Sequence, residues 1–338
     1  MSVGLDIGSN TIKVVELIKE RKKAKLKASG IIGHSGKLIG EATGDKDLAI
    51  ISDTLKKLFK EAKISSKDVA VALPETQAYT RTIKFPLLSD AEIASAVRWE
   101  AEQYIPISLS EAIVQHQIIE KREDVNPPMV LVLLVAAPKT LVNKYARLVE
   151  NAGLNLVVLE TELMSLVRSL APEDQSVLVV DFGAKSTDIA VSRKGVLTFS
   201  RSIPTAGEAL TRAVARGLGV EENMAEEYKK TYGLLQKQLE GKVRMVLEPV
   251  FRIVADEMKK VISYYQSEEK GDAPKSVILS GGSAGMPELA SVLVNLLGME
   301  VVVGNPFAKI EVDPEAVKSL AGYAQLYSVA AGLALRNF

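Results

Sequence analysis

The chain has 338 residues, and its 42 Lys and Arg balance its 42 Asp and Glu, so the formal net charge is zero. At about 150 residues per domain, this length predicts about two domains. The mix of 47% hydrophobic and 25% charged residues is typical of a soluble globular protein. The balanced charge argues against a nucleic-acid-binding protein with a broad basic surface. The absence of cysteine excludes disulfides, thiolate zinc sites and cysteine nucleophiles, and the two histidines, His34 and His116, are too few for a multi-histidine metal centre.

The N-terminal sequence shows no basic segment followed by an apolar core, so we predict no signal peptide. The longest uninterrupted apolar run, Met129–Ala137, is far shorter than the roughly 20 residues that a membrane-spanning helix requires. Any association with a membrane is therefore expected to be indirect.

The predicted elements of the first half are strands bounded by turn residues and helices with apolar residues at helical spacing. In chain order they are strands Val3–Asp6 and Ile12–Ile18, helix Asp47–Lys63, strands Val69–Leu73 and Arg81–Phe85, a helix from an N-cap at Ser89 or Asp90 to Tyr104, strands Val114–Ile119 and Met129–Ala137, helix Thr140–Ala152 and strand Leu156–Leu159. Only a cluster of turn residues separates the first two strands, which predicts a hairpin.

The second half is predicted to open in the same way. In chain order its elements are strands Ser176–Asp181 and Thr187–Ser192, helical stretches at 207–235 and 242–266, strand Ser276–Leu279, helix Pro287–Leu297 with Pro287 in its first turn, strand Glu300–Val303 and a small-residue-rich helix Tyr323–Leu335.

An internal repeat of long period relates the two halves. Each copy is a strand that ends in Asp-x-Gly, a short polar turn with Ser or Thr, and a return strand. One copy is Leu5–Thr11 and the other is Val180–Thr187. Two similar halves predict a two-lobed α/β protein with a cleft between the lobes.

Each repeated turn has the features of a phosphate-binding turn. Gly8 and Gly183 allow the backbone to approach a ligand, consecutive turn amides bind anions, and Ser and Thr hydroxyls add donors. Asp6 and Asp181, at the strand ends, would repel a bound phosphate unless a hydrated divalent cation lies between these acids and the phosphate. A single copy is compatible with an ordinary turn, whereas two facing copies predict a site that holds a β- and a γ-phosphate from two sides. A third glycine turn, Gly281-Gly282-Ser283, would let a flat ligand lie against the backbone.

These three motifs, in this order, resemble the phosphate-1, phosphate-2 and adenosine motifs of the actin-like ATPase superfamily. The resemblance implies a two-lobed actin-like ATPase fold of the ribonuclease-H-like type, with ATP or ADP and Mg²⁺ in the cleft. Asp6 and Asp181 would hold the metal ion through water. In the first connecting segment, Glu162 aligns with the acid or amide that orients the attacking water. Glu160 is a weaker choice, and Leu163 stands where the family often has proline.

The resemblance also implies a set of nucleotide-binding residues. They are Gly8, Ser9, Asn10, Thr11, Lys13, Gly183, Ala184, Lys185, Ser186, Gly207, Glu226, Lys229, Gly281, Gly282 and Ser283. Glu226 and Lys229, three residues apart on a helix, share one face and would flank the ribose and adenine, or they belong to a solvated charged face. Lys13 and Lys185 either reach a phosphate or are ordinary exposed lysines.

Within the superfamily, two segments are similar to the PilM family, the actin-like component of the type IV pilus inner-membrane assembly complex. They are the start, Val3–Ser9 with Ile12–Leu17, and the block Phe85–Pro106, which falls where FtsA-type proteins carry an extra subdomain in the first lobe. The similarity implies a cytoplasmic protein at the inner face of the cytoplasmic membrane that is needed for pilus biogenesis. It also implies that the partner is the N-terminal cytoplasmic tail of the membrane protein PilN. Any ATP hydrolysis is expected to be slow, and self-association is left open.

The resemblance divides the chain into actin-like subdomains. The implied ranges are 1–74 for subdomain 1A, 75–155 for the extra subdomain 1C, 156–175 for a return to 1A, 176–225 for 2A, 226–272 for 2B, 273–320 for a return to 2A, and 321–338 for a final helix back in 1A. Small residues in that helix would allow a close helix crossing. The family's partner groove lies beside the extra subdomain, where Trp99 and Tyr104 either line it or pack in the core.

Three alternatives of the same fold are weighed against this interpretation. FtsA, a cell-division protein, usually continues past the final helix into an amphipathic membrane-binding helix, whereas this chain ends at Phe338. We therefore expect attachment through a partner. A small-molecule kinase would need a catalytic base, for which Asp188 is available, but few residues are left for an insertion that closes over a substrate. A scaffold with a decayed site would not need the intact acids and glycines of the two turns.

Overall fold

The computed structural model describes residues 1–21, 23–34, 39–42, 44–269 and 273–337. Its strands are β1 (Ser2–Ile7), β2 (Thr11–Glu20), β3 (Lys23–Gly33), β4 (Asp68–Leu73), β5 (Tyr79–Pro86), β6 (Ala112–Arg122), β7 (Met129–Pro138), β8 (Asn155–Thr161), β9 (Val177–Phe182), β10 (Thr187–Arg193), β11 (Val196–Ile203), β12 (Ser276–Ser280), β13 (Glu300–Val303) and β14 (Ile310–Glu311). Its α-helices are α1 (Asp45–Glu61), α2 (Asp90–Tyr104), α3 (Lys139–Asn151), α4 (Glu162–Leu170), α5 (Gly207–Leu218), α6 (Glu222–Tyr232), α7 (Lys242–Glu269), α8 (Leu289–Leu297), α9 (Pro314–Leu320) and α10 (Ser328–Ala334).

The predicted N-terminal hairpin forms the centre of a six-stranded sheet, ordered β14-β3-β2-β1-β4-β8. Strands β1, β2 and β3 pair antiparallel, and β4 and β8 continue the sheet in parallel on the other side of β1. Every residue of β1 is buried, because α1 and α3 pack on one face of the sheet and α10 packs on the other. This sheet and its helices are called lobe I below.

The second predicted hairpin forms the centre of a five-stranded sheet, ordered β11-β10-β9-β12-β13. Strands β9, β10 and β11 pair antiparallel, and β12 and β13 continue the sheet in parallel beside β9. This is the arrangement of lobe I repeated, with α5, α7 and α8 packed on one face. This sheet and its helices are called lobe II. The prediction of two similar halves is therefore confirmed.

A separate three-stranded antiparallel sheet, ordered β5-β7-β6, carries α2 on one face. These four elements are called the extra subdomain. Helix α2 begins at the predicted N-cap: Glu92 N donates to Ser89 Oγ, and Ser89 N donates to Glu92 Oε2 at 2.8 Å. This reciprocal capping box satisfies two N–H groups of the first turn, which explains why the helix starts where the sequence predicts.

Small residues allow α10 to pass close to β1 and α4. A Cβ on Gly4 would overlap the carbonyl oxygen of Ala330, and a Cβ on Gly332 would overlap the carbonyl group of Ser165. Helices α4 and α10 also contribute buried side chains to a core between the sheets of the two lobes. The predicted close helix crossing is therefore confirmed.

Several elements differ from the sequence predictions. The helical stretch 207–235 is interrupted, because Gly219 ends α5 in the left-handed region at φ +65°. Pro287 lies before α8 instead of in its first turn. The final helix is divided into a 3-10 turn at Ala324–Tyr327, α10, and a 3-10 turn at Leu335–Asn337. Strands β3, β11 and β14 and helices α4 and α9 were not predicted.

Candidate functional site

The two repeated turns have the same backbone geometry. In lobe I, Ile7 pairs with Ile12 at the end of the hairpin, and Gly8 N donates to Thr11 O at 3.1 Å. In lobe II, the equivalent turn is closed by a bond from Gly183 N to Ser186 O, also at 3.1 Å. A Cβ on Gly183 would lie 2.9 Å from that carbonyl oxygen, so the tight turn requires glycine. The predicted hairpin turns are therefore confirmed.

Both turns line one cavity of about 500 Å³ between the lobes. This volume lies within the range of small-molecule sites, about 300–1,000 Å³. The structure brings every sequence-predicted site residue to this cavity. They are Asp6, Gly8, Ser9, Asn10, Thr11, Lys13, Glu162, Asp181, Gly183, Ala184, Lys185, Ser186, Gly207, Glu226, Lys229, Gly281, Gly282 and Ser283.

Buried acids lie on the side of the cleft that the two hairpin turns form. Burial raises the pKa of Asp181 to about 7, and repulsion from Asp188 and Asp6 adds to the effect of burial. Burial and the neighbouring acids also raise the pKa of Glu162 well above its ordinary range. Lys13 Nζ lies 2.9 Å from Asp6 Oδ2. Burial lowers the pKa of Lys13, but the charges of Asp6, Asp181 and Glu162 and the hydrogen bond to Asp6 together outweigh burial, so the pKa is raised. One lysine does not balance this group of acids, so a cation bound here would be stabilised.

The donor set fits a hydrated metal ion better than a fully protein-bound one. Within the described ranges, no group of three or more His, Cys, Asp or Glu side chains is arranged to ligate a metal ion. Mg²⁺ usually keeps several waters and takes one or two carboxylates together with phosphate oxygens. Asp6 and Asp181 supply two carboxylates of that kind from opposite walls of the cleft.

The other end of the cleft is built from close-packed glycine turns. A Cβ on Gly207 would lie 2.9 Å from Ser283 Oγ and 3.1 Å from Gly183 O. Gly281 has φ +88°, and a Cβ there would overlap Asp181 Oδ1. Both positions therefore leave backbone, not side chain, facing the cavity, as the predicted adenosine motif requires.

The predicted pair on α6 forms, and it supports the Gly207 turn. Lys229 Nζ lies 2.6 Å from Glu226 Oε2 and donates to Gly207 O at 3.1 Å. Lys229 is buried, so its interpretation as part of a solvated charged face is wrong. Glu226 is half-buried at the edge of the cavity.

The two candidate phosphate lysines differ in environment. Lys13 is buried against Asp6, so its interpretation as an ordinary exposed lysine is wrong. Lys185 is half-exposed and lies 3.7 Å from Glu41 Oε1, which places an ion pair between lobe II and lobe I at the mouth of the cleft.

The two candidate acids of the first connecting segment, Glu160 and Glu162, lie in different environments. Glu162 is the first residue of α4 and lines the cavity. Glu160 is buried in ion pairs with Arg168 and Arg336 instead. The sequence alignment with Glu162 therefore selects the acid that faces the cleft.

Other lining residues had no functional prediction. Pro74 and Thr76 follow β4, and Tyr323, Gln325 and Leu326 precede α10. Pro74 gives no local signal beyond ending a strand, and the segment before α10 was predicted as helix. These residues reach the cavity only because segments that are distant in sequence fold together, and local sequence patterns do not predict that arrangement.

The extra subdomain contacts lobe II beside a second cavity of about 400 Å³. One wall of this cavity belongs to the extra subdomain and the other to lobe II. Tyr104 lines this cavity and is 39% exposed, and the Arg81 guanidinium lies 3.7 Å from its ring centroid. An ion pair of 3.0 Å between Glu120 and Arg193 joins β6 to β10. Trp99 is 66% exposed, so its interpretation as a core residue is wrong.

Residues 4–338 match the family model described as type IV pilus assembly protein PilM. Among solved structures, a PilM-PilN type IV pilus biogenesis complex is similar at a TM-score of 0.86 and 28% identity, covering 99% of this chain and 98% of the other. MreB 5 of Spiroplasma citri bound to AMPPNP is similar at a TM-score of 0.54 and 14% identity, covering 98% and 93%. The cell division protein FtsA of Streptococcus pneumoniae serotype 2 is 22% identical over 341 residues, 88% of this chain and 74% of the relative.

These similarities confirm the two-lobed actin-like ATPase fold that the three motifs predict. Among the described residues, no helix combines the length and hydropathy needed to cross a membrane. The family match spans nearly the whole chain, including both hairpins, the cleft and the extra subdomain. The chain therefore belongs to the PilM family of type IV pilus assembly proteins.

Proposed function

We propose that this chain binds ATP or ADP with Mg²⁺ in the cleft between its lobes. The observation that carries the proposal is the convergence of three separate glycine turns and two buried acids, Asp6 and Asp181, on one cavity of about 500 Å³. The excess of buried negative charge supports a bound cation, because pairing with it removes repulsion between the acids. A solved relative of the same fold, MreB 5, is described with bound AMPPNP.

Residues at the phosphate end have separate roles in this proposal. Asp6 and Asp181 would hold Mg²⁺ through water, and the bound ion would supply positive charge for the β- and γ-phosphates. The backbone amides of the turns at Gly8 and Gly183 donate to phosphate oxygens. Lys13, held by Asp6, adds positive charge at the lobe I turn.

Residues at the other end provide the nucleoside pocket. The turns at Gly207 and Gly281-Gly282 offer flat backbone surface to the adenosine, and Glu226 is available to accept from a ribose hydroxyl. Glu162 orients the attacking water. Any hydrolysis of the bound nucleotide is expected to be slow.

We also propose that the protein works at the inner face of the cytoplasmic membrane within the pilus assembly complex. Its partner there is the N-terminal cytoplasmic tail of PilN, which binds beside the extra subdomain and links the chain to the membrane. Family membership supports this, as does the similar structure described as a PilM-PilN complex. Trp99 offers an exposed aromatic side chain on α2 for such a contact.

Titration of the purified protein with labelled ATP, with and without Mg²⁺, tests the nucleotide site. We expect Mg²⁺-dependent binding that the Asp6→Asn/Asp181→Asn double variant weakens about tenfold or more, a loss of about 1.4 kcal/mol. Because Asp6→Asn also leaves the buried Lys13 without its counter-charge, circular dichroism must first show that the double variant is folded. Asp53→Asn, an exposed acid on α1, is the control. Absence of binding, or equal binding by the double variant, contradicts the proposal.

Capture from solubilised membranes with this chain as bait tests the partner. We expect recovery of the PilN homologue of the same organism, and loss of that recovery when its N-terminal tail is deleted. Curated relatives include FtsA, so recovery of the cell-division tubulin homologue in place of PilN would favour an FtsA-like function.

A further inference from the structure

Glu75 lies between the two cavities, on the 3-10 turn Glu75–Gln77 that follows β4. Its neighbours Pro74 and Thr76 line the cleft, whereas Glu75 itself lines the second cavity beside the extra subdomain. Its side chain is buried, with 8% of the residue exposed. An acid is buried at a net cost unless hydrogen bonds compensate for the lost water, so its partners indicate its role.

The partner of Glu75 is the N-terminus of α4. Glu75 Oε1 accepts a hydrogen bond from Leu163 N at 3.0 Å, across 88 residues of sequence. Thr161, which occupies the N-cap position of α4, makes no side-chain cap bond. Glu75 therefore supplies the cap that the local sequence does not, and its negative charge suits the positive end of the helix dipole.

Glu162 is the residue between Thr161 and Leu163, and it is the acid of α4 that lines the cleft. A bond to Leu163 N fixes the first turn of α4 and, with it, the backbone that carries Glu162. The charged groups that face Glu75 are Glu162 on α4 and Asp188 on β10 of lobe II. Burial raises the pKa of Glu75 to about 7. Hydrogen bonding from Thr161, Leu163 N and Thr80 opposes the rise, and the charge of Asp188 adds to it.

We propose that Glu75 is a positioning residue of the nucleotide site: by capping α4, it holds Glu162 in the orientation in which that carboxyl orients the attacking water. The proposal rests on the proposed function, since it concerns ATP hydrolysis in the cleft. Glu75 does not line the cleft itself. Its loss is therefore expected to slow hydrolysis while leaving nucleotide binding nearly unchanged.

Single-turnover hydrolysis of γ-labelled ATP with Mg²⁺, at a series of protein concentrations in excess over ATP, separates the two effects. It yields the rate constant at saturation and the half-saturating concentration. For Glu75→Ala we expect the rate constant to fall about tenfold or more, since small misplacements of a reacting group cost rates of this order. The half-saturating concentration is expected to stay within about threefold. Glu75→Gln keeps an oxygen that accepts from Leu163 N, and it is expected to restore most of the rate.

The control is Glu61→Ala, which removes an exposed acid at the end of α1 and is expected to change neither quantity. A purely structural role predicts instead that Glu75→Ala lowers rate, affinity and thermal stability together. Such a joint loss overturns the inference. So does a wild-type rate in Glu75→Ala, or a failure of Glu75→Gln to restore the rate. Binding of ATP by the wild type with no hydrolysis also overturns it but leaves the proposed nucleotide site intact. Absence of ATP binding overturns both.

Discussion

Asp188 lies directly opposite Asp181 in the β9–β10 hairpin, at the position where Lys13 lies opposite Asp6 in the β1–β2 hairpin. The two hairpins therefore share a backbone geometry but differ in charge. In lobe I, the acid at the strand end is paired with a lysine at 2.9 Å. In lobe II, a second acid raises the pKa of the first, in addition to the effect of burial. The unbalanced negative charge of the cleft is thus concentrated on the lobe II turn.

We predict that Asp181 makes the nucleotide-free protein less stable as the pH rises from about 5 to about 7. The pKa of Asp181 is about 7 in the folded protein and 3.8 ordinarily. Between these values, the folded protein holds a proton that the unfolded chain has released, so the free energy of unfolding falls as the pH rises. The contribution of one such group is at most about 1.4 kcal/mol per pH unit.

Urea denaturation at pH 5, 6, 7 and 8 checks this prediction. Asp181→Asn removes the titrating group, and its free energy of unfolding is expected to fall less steeply with pH than that of the wild type. Parallel profiles for the two proteins would show that Asp181 does not titrate in this range.

The Asp6–Lys13 pair is predicted to be strongly coupled. Both side chains are nearly inaccessible to solvent, so Lys13→Met leaves a buried carboxylate without its counter-charge, a change that costs about 3–5 kcal/mol. Asp6→Asn/Lys13→Met removes both charges and is expected to be more stable than Lys13→Met alone. Urea denaturation of the two single variants and the double variant gives the coupling energy. Strictly additive losses would contradict the prediction.

The two hairpin turns are the part of the site that the sequence predicts best. Asp-x-Gly, the polar turn residues and the flanking apolar strands are contiguous in sequence, so the geometry of Gly8 and Gly183 could be predicted from local signals. The convergence of both turns on one cavity could be predicted because the repeat implies two equivalent lobes. The family's order of motifs then pointed to Gly207, and it gave a role to the glycine turn at Gly281, which is a weak local signal by itself.

Features that depend on tertiary contact were not predictable in this way. The capping acid Glu75 is 88 residues from its donor, Leu163, and Thr161 at the N-cap of α4 would itself be taken as the local cap. Helix α4 follows β8 without a turn residue between them, so Thr161 alone does not separate the helix from the strand in the sequence. Trp99 belongs to a helix with a clear cap and a buried face, yet it lies on the exposed side.

Gly281 is predicted to be intolerant of any side chain. It has φ +88°, a Cβ there would overlap Asp181 Oδ1, and the same Cβ would lie 2.6 Å from Phe182 O. We expect Gly281→Ala to lower the free energy of unfolding by more than about 2 kcal/mol, since it combines a disfavoured backbone conformation with a steric clash. Gly298 has φ +70° and open space around the position of a Cβ, so Gly298→Ala measures the conformational cost alone. Equal losses in the two variants, measured by chemical denaturation, would contradict the clash.

The capping box of α2 allows the extra subdomain to be tested separately from the two lobes. Ser89→Ala removes the side chain that accepts from Glu92 N and is expected to cost about 1 kcal/mol. Ser95 is exposed inside the same helix, and its hydroxyl donates to Ala91 O. Ser95→Ala is expected to be neutral or slightly stabilising, because Ala has the higher helix propensity. Amide hydrogen exchange locates the effect. If the extra subdomain opens on its own, Ser89→Ala speeds exchange in α2, β5, β6 and β7 and leaves β1 and β9 unchanged. Equal acceleration in β1 and β9 would show instead that the extra subdomain unfolds only together with the lobes, because the Glu120–Arg193 ion pair and the shared walls of the second cavity hold it to lobe II.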